Sequence, residues 1–273
     1  MEKEGNNVSQ VGKILKMGRI FDEKTNRTLI VAMDHGLFIG PVKGLEKPLE
    51  VARKALKGGA NALVVTPGVA RLIAGEVRGK AGIILRIDGA TTAYGPDFFD
   101  VRRIASVKDA ARMGADAVIA MGYMGTLKEN ETLANLSLIA RECEEFGVPL
   151  VAEMIPVQCE KIKDPYDAEV VSLAARVGAE IGADLIKTHY TGTEGTFREV
   201  VKGCPVPIVI AGGPKMKTAE QALRVAKEAV NAGAVGVAFG RNVWQHENPE
   251  TMTRAMVKVV HGKSSVQEAL KGL

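Results

Sequence analysis

Eight short apolar runs, rich in β-branched and aliphatic residues, recur along the chain: TLIVAMD from Thr28, NALVVT from Asn61, GIILRID from Gly82, DAVIAM from Asp116, PLVAEM from Pro149, DLIKT from Asp184, PIVIAGG from Pro207 and GVAFG from Gly236. Longer amphipathic stretches separate them, among them LEKPLEVARKALKGG, SVKDAARMG, NETLANLSLIARECEEFG, YDAEVVSLAARVGAEIG and TAEQALRVAKEAVNAG. Their apolar spacing is helical, and several end on the glycine expected just past a helix C-terminus. Eight strand–helix alternations imply an α/β chain folded as a (β/α)8 TIM barrel. A weak internal repeat agrees: GGANALV, MGADAVI, IGADLIK and AGAVGVA each set a helix-ending glycine just before a strand.

An open doubly wound sheet would call for a dinucleotide-type glycine-rich turn after the first strand, and MDHGLFIGPVKG matches that pattern poorly. No Pro/Gly/Ser-rich linker divides the chain. At 273 residues it suits one domain, since α/β barrels run to about 250 residues as a single unit. Residues 1–27 are expected to be an extension whose segment VGKILKMGRIF forms a helix closing the lower end of the barrel, and residues 28–273 to be the barrel itself.

Composition narrows the function classes. The 36 basic and 32 acidic residues are spread without a basic block or an aromatic-basic stripe, so binding to nucleic acid or a membrane surface is not indicated. The mild positive bias of +4 suits a phosphorylated small molecule. Cys143, Cys159 and Cys204 are few, odd in number and without CxxC spacing, which argues against a disulfide framework or structural zinc. The polar start MEKEGNNVSQ has no signal-peptide pattern, and no apolar run approaches a membrane span. A cytoplasmic protein is the expectation.

In a barrel of this kind functional groups collect at the C-terminal ends of the strands. The first run ends on Asp34-His35-Gly36, the third on Arg86 and Asp88, the fifth on Glu153, and the sixth on Lys187-Thr188-His189-Tyr190. Lys187 is the most informative of these. At a barrel mouth an ammonium loses hydration, and desolvation and nearby cations favour the free amine that attacks a carbonyl. A protonated imine then withdraws electrons better than the ketone it replaces, so a neighbouring carbon–carbon bond breaks or forms through an enamine. The competing reading is an ion pair of Lys187 with Asp34, Asp88 or Glu153 that merely closes the mouth.

The turns AGGPKMKT and FGRNVWQ follow the seventh and eighth runs, where many barrels bind phosphate through backbone N–H groups. Gly212, Gly213 and Gly240 let the backbone approach an anion, and Lys215 or Arg241 adds charge. Asp34 and His35 stand where a general acid or base is useful, although an aspartate there also caps loops. No His-x-His or HExxH pattern points to a metal, and His246 and His261 are read as surface or packing residues on helices.

Four segments, VAMDHGLFIGPVKGLE, GADLIKTHYTG, GCPVPIVIAGGPK and VAFGRNVWQHENP, together resemble the DhnA/LsrF-type class I (Schiff-base) aldolase family. The resemblance spans nearly the whole chain. It implies imine formation at Lys187 with help from Asp34, phosphate binding at Gly212-Gly213 and Gly240-Arg241, no cofactor, and a homo-oligomer that is typically a decamer. A fructose-1,6-bisphosphate aldolase-like lyase is the leading expectation. Alternatives within the family are an aminodideoxyheptulosonate synthase and a thiolase acting on phosphorylated autoinducer-2. A phosphosugar-binding protein without catalysis is a further one. One departure stands out: where the aldolase and synthase branches carry a tyrosine that moves a proton after the fifth strand, this chain has Ile155. Tyr123, Glu153 and His189 are the candidates to replace it, and Arg86 and His189 are also expected near the substrate.

Overall fold

The computed structural model describes residues 8–273, so residues 1–7 of the expected extension lie outside the described residues. Eight parallel strands close into a barrel. In order they are Thr28–Ala32, Ala62–Val65, Gly82–Arg86, Ala117–Met124, Leu150–Pro156, Leu185–Thr188, Ile208–Ala211 and Gly236–Phe239. The ring is shut by pairing of the first strand with the eighth, from Thr28 opposite Gly236 to Val31 opposite Phe239.

Each strand is buried on both faces, which is why its sequence reads as an unbroken apolar run. Ile30, Val64, Ile84, Ile119, Val151, Leu185 and Val209 fill the barrel interior. Alternate residues such as Leu29, Val31, Leu63, Leu85 and Ile186 pack outward under the helices. The expected helices are present as Pro48–Gly58, Val107–Arg112, Glu129–Phe146, Ala168–Ile181 and Ala219–Ala232.

The internal repeat has a structural meaning at the barrel floor. Gly59, Gly114, Gly182 and Gly233 all take the left-handed turn, with φ of 92°, 72°, 111° and 113°, which a β-carbon would disfavour. Two residues later, Asn61, Asp116 and Asp184 accept the backbone N–H groups of Leu29, Ile83 and Leu150 at 2.8, 2.9 and 2.8 Å. Strands two, four and six thereby cap strands one, three and five. In the fourth copy the position is Val235, which has no side-chain acceptor.

Two of these carboxylates also anchor the segment ahead of the barrel. Arg19 Nη1 lies 2.9 Å from Asp116 and Lys13 Nζ lies 3.0 Å from Asp184, with Glu144 as a second partner of Lys13. The expected helix over residues 11–21 is corrected to Val8–Met17. Gly18, a weak helix former, starts a turn that carries Ile20 fully buried into the interior layer, with Met17 and Phe21 beside it.

Several elements were not anticipated. After the third strand, Asp88–Gly89 pairs with Arg102–Arg103 as a small antiparallel ribbon that holds the loop 90–101. Short helices Gly36–Ile39 and Arg241–Trp244 follow the first and eighth strands. His246 lies in the turn after the latter rather than on a helix, accepting from the Asn248 N–H. His261 ends the helix Pro249–Val260 as a packing residue, its ring nitrogens against Thr25 and Asn61. The three cysteines are free thiols. Among the described residues no helix is long and apolar enough to cross a membrane.

If the repeat's acidic residue is a floor cap, Asp184→Ala leaves the Leu150 N–H and the Lys13 ammonium without it and lowers stability by about 2 kcal/mol. Glu144→Ala, which removes only an exposed partner of Lys13, costs less than about 1 kcal/mol. Urea unfolding of the two variants measures the difference.

Candidate active site

At the other end of the barrel the same alternation carries the interior row into polar residues. Two positions beyond Ala32, Ile84, Val151 and Leu185 stand Asp34, Arg86, Glu153 and Lys187, all facing inward. Register places Glu153 directly beside Lys187 on the neighbouring strand. These groups open into a cavity of about 270 Å³. Its polar side is made by them with His35, His189, Gly212, Gly213, Gly240 and Arg241, and its apolar side by Phe38, Ile39, Phe98, Met121 and Ile155.

Arg86 is the hub, 1% exposed. Its Nε donates to Asp34 Oδ2 at 2.9 Å, Nη1 to Asp88 Oδ1 at 3.0 Å, and Nη2 to Glu153 Oε2. Glu153 Oε1 in turn lies 2.5 Å from Lys187 Nζ. Arg86, expected near the substrate, lines the cavity, and its guanidinium also donates to three carboxylates and holds them. The expected ion pair of Lys187 is present, with Glu153 as the partner.

Three carboxylates meet two cations here, so the charges are unevenly satisfied. Burial pushes Asp34 up, but Arg86, Lys187 and His35 outweigh it and hold its carboxyl at about 2. Burial also acts against ionised Glu153, and Lys187 and Arg86 again prevail, lowering its pKa. Asp88 is different. Burial dominates and raises its pKa despite Arg86 and the Met121 N–H, which its Oδ2 accepts at 2.6 Å. Burial lowers the pKa of His35 and of His189, favouring the neutral imidazole in both.

The two glycine turns meet on the opposite wall. A β-carbon at Gly240 would lie 2.7 Å from the His35 ring, and one at Gly212 would lie 2.8 Å from the Phe239 ring, so both are glycine for close packing. Gly213 is glycine for its left-handed backbone, φ 60°, and has open space around it. Asn242, which sequence reasoning missed, ties the turns together: its Nδ2 donates to the Gly212 carbonyl at 2.9 Å and its Oδ1 accepts from Met216 N–H at 2.8 Å. Arg241 is half-buried, and its Nε is buried with no hydrogen-bond partner among the described residues.

Two expected site residues lie elsewhere. Tyr123 does not line the cavity; its ring packs edge-on to Phe99 at 5.0 Å, in a cluster with Phe38, Met121 and Ile155, and burial raises its pKa. The sequence could not reveal that its aromatic neighbours on the loop 90–101 fold back over it. Lys215 turns outward to donate to the Gln245 carbonyl at 2.6 Å, while the Pro214 carbonyl and the Met216 N–H on either side of it are bonded to Asn242. Among the described residues no group of three or more His, Cys, Asp or Glu side chains is placed to hold a metal ion.

Comparison with known proteins agrees with this geometry. The model of the DeoC/LacD family of aldolases matches residues 28–246. An uncharacterized aldolase of Saccharolobus solfataricus is 38% identical, covering 96% of this chain and 98% of its own. A 2-amino-3,7-dideoxy-D-threo-hept-6-ulosonate synthase of Halobacterium salinarum is 36% identical over 96% of this chain and 97% of its own. A 3-hydroxy-5-phosphonooxypentane-2,4-dione thiolase of Yersinia enterocolitica is 36% identical over 94% of this chain and 84% of its own. Among solved structures, an archaeal fructose 1,6-bisphosphate aldolase superposes with a TM-score of 0.82 at 33% identity, covering 92% of this chain and 99% of that one. Another such structure, with the catalytic lysine covalently bound to the carbinolamine intermediate, has the same TM-score, identity and coverage of this chain and is itself covered completely.

The charge arrangement makes a pH prediction. Asp34 is depressed from its ordinary 3.8 to about 2, so its ionised form adds stability that is present above about pH 4 and lost as the pH falls toward 2. Asp88, raised, works in the opposite sense, its contribution present below its ordinary value and lost as the pH rises through the raised one. Asp34→Asn should therefore flatten the acid limb of stability against pH between about 4 and 2, by about 2 kcal/mol. Melting temperatures across that range check it.

Proposed function

The chain belongs to the DeoC/LacD family of aldolases, and from that membership we propose that it forms a Schiff base between Lys187 and a phosphorylated keto substrate and makes or breaks a carbon–carbon bond beside it. The observation that carries this reading is the Lys187 ammonium, buried, facing the cavity and paired with Glu153 at 2.5 Å. Glu153 is an acceptor for the proton that Lys187 must shed before it attacks the carbonyl, and Arg86 fixes that carboxylate in place. Attack gives a carbinolamine. Loss of water gives the iminium, which receives the electron pair of the adjacent carbon–carbon bond. Asp34, ionised over the working pH range, is positioned to orient a substrate hydroxyl or balance the iminium charge.

The unpartnered Arg241 Nε and the turns at Gly212-Gly213 and Gly240 supply the phosphate end. Fructose 1,6-bisphosphate is the first substrate to test, on the strength of the archaeal aldolase structures. A second reading has an observation of its own. The wall of Phe38, Ile39, Phe98, Met121 and Ile155 is apolar, and Arg86 and Lys187 are both paired within the cluster, leaving Arg241 as the cavity-lining cation without an ion-pair partner among the described residues. A compound with one phosphate and an apolar far end, such as a phosphorylated diketone passing an acyl group to coenzyme A, fits that distribution.

Lys187→Met should lower kcat by roughly 10,000-fold or more while leaving the circular dichroism spectrum and melting profile those of a folded barrel. Aldol cleavage retained in that variant would exclude the covalent mechanism. Arg241→Met should raise KM by roughly 10- to 100-fold for a phosphorylated substrate and change little for its dephosphorylated analogue.

A further inference from the structure

An imine on Lys187 accounts for only half of a carbon–carbon cleavage. As the bond electrons move into the iminium, the hydroxyl on the departing carbon gives up its proton to become a carbonyl, and the enamine carbon afterwards gains a proton. Few cavity-lining groups are free to do this. Glu153 is held between Lys187 and Arg86, and Asp34 accepts from Arg86. The guanidinium groups of Arg86 and Arg241 do not give up protons. His35 stands on the phosphate side, its ring edge-on to Trp244 at 5.3 Å and against Gly240.

His189 stands on the other side. It follows Lys187 by two residues and so shares its inward face, while Thr188 between them turns away to donate to the Met154 carbonyl at 2.8 Å. Its ring lines the cavity with Ile155 and lies beside the Pro156 carbonyl. From the loop after the fifth strand Tyr166 lays its own ring over it, centroids 4.6 Å apart and planes tilted by 35°. A neutral imidazole in that place keeps one nitrogen lone pair available to accept a proton.

We propose that His189 is the proton-transfer residue of this site, taking the hydroxyl proton of the departing carbon and returning a proton to the enamine carbon, with Tyr166 as the cover that fixes its ring. The step balances. The O–H proton moves to the imidazole as the carbon–carbon electron pair enters the iminium, and the resulting imidazolium protonates the enamine carbon, restoring the neutral ring. The inference rests on imine formation at Lys187.

The test combines trapping with turnover. Wild type, His189→Gln, His189→Asn and Tyr166→Phe are each incubated with fructose 1,6-bisphosphate and with dihydroxyacetone phosphate in deuterated water. Borohydride-trapped adduct, cleavage rate and deuterium entry at the carbon beside the imine are read for each. Both His189 variants should keep the Lys187 adduct within about twofold of wild type while cleavage and deuterium entry fall by roughly 100- to 10,000-fold. Tyr166→Phe, which keeps the covering ring, should change them by less than about threefold. Near-wild-type turnover in either His189 variant overturns the proposal, as does loss of the adduct along with turnover. A Tyr166→Phe variant that loses proton transfer overturns it too, since the phenol would then be the mover. Absence of any adduct in wild type with these two compounds and with a phosphopentanedione removes the imine reading itself, and this inference with it.

Discussion

The structure depends most on one buried cation. Arg86 draws Asp34 from the first strand, Asp88 from the ribbon after the third, and Glu153 from the fifth onto a single guanidinium. Burying such charges is costly unless each is paired and hydrogen-bonded, and Arg86 supplies those bonds through a planar fork with fixed directions. The consequence reaches Lys187. Because Glu153 is fixed from one side by Arg86, its other oxygen is presented to the lysine on the adjacent strand, and the Lys187 ammonium is held there. With three carboxylates against two cations, Asp88, which is not paired with Lys187, is the one whose ionisation is disfavoured, burial raising its pKa.

The two ends of the barrel use one rule for opposite purposes. A period of two sends alternate residues inward along every strand, so the apolar interior layer continues upward into Asp34, Arg86, Glu153 and Lys187. At the floor the short polar side chains of Asn61, Asp116 and Asp184 stabilise strand starts and hold Arg19 and Lys13 of the preceding segment. Substitution of a floor carboxylate therefore acts on folding, whereas substitution of a mouth carboxylate acts on folding and also redistributes charge around the lysine.

Much of this was legible in the sequence. Eight apolar runs and a glycine before alternate strands specify the barrel, because both depend on local periodicity and local turn chemistry. Lys187 at the end of a buried run was legible for the same reason. What escaped depends on which atoms a side chain spends on which partner. Arg86 reads as a substrate arginine, and nothing local to it signals that each of its three nitrogens also donates to a carboxylate. Lys215 follows the right turn, but its ammonium reaches the Gln245 carbonyl instead of the cavity. Tyr123 sits on the correct strand face, yet the loop 90–101, placed by a ribbon too short to read from sequence, covers it with Phe99. Asn242 and Tyr166 matter through contacts made 30 or so residues away or across the mouth, and nothing local to them signals it.

Under the proposed function, Lys187, set by the Glu153–Arg86 pair, is the group that bonds to substrate. Its most direct test is borohydride reduction of the wild-type protein with dihydroxyacetone phosphate, fructose 1,6-bisphosphate and a phosphopentanedione in separate reactions, followed by peptide mapping. A stoichiometric mass increase confined to the peptide that carries Lys187 is expected with at least one of the three. A modification on another lysine, or a protein that phosphate compounds stabilise against heat while none forms an adduct, would contradict it.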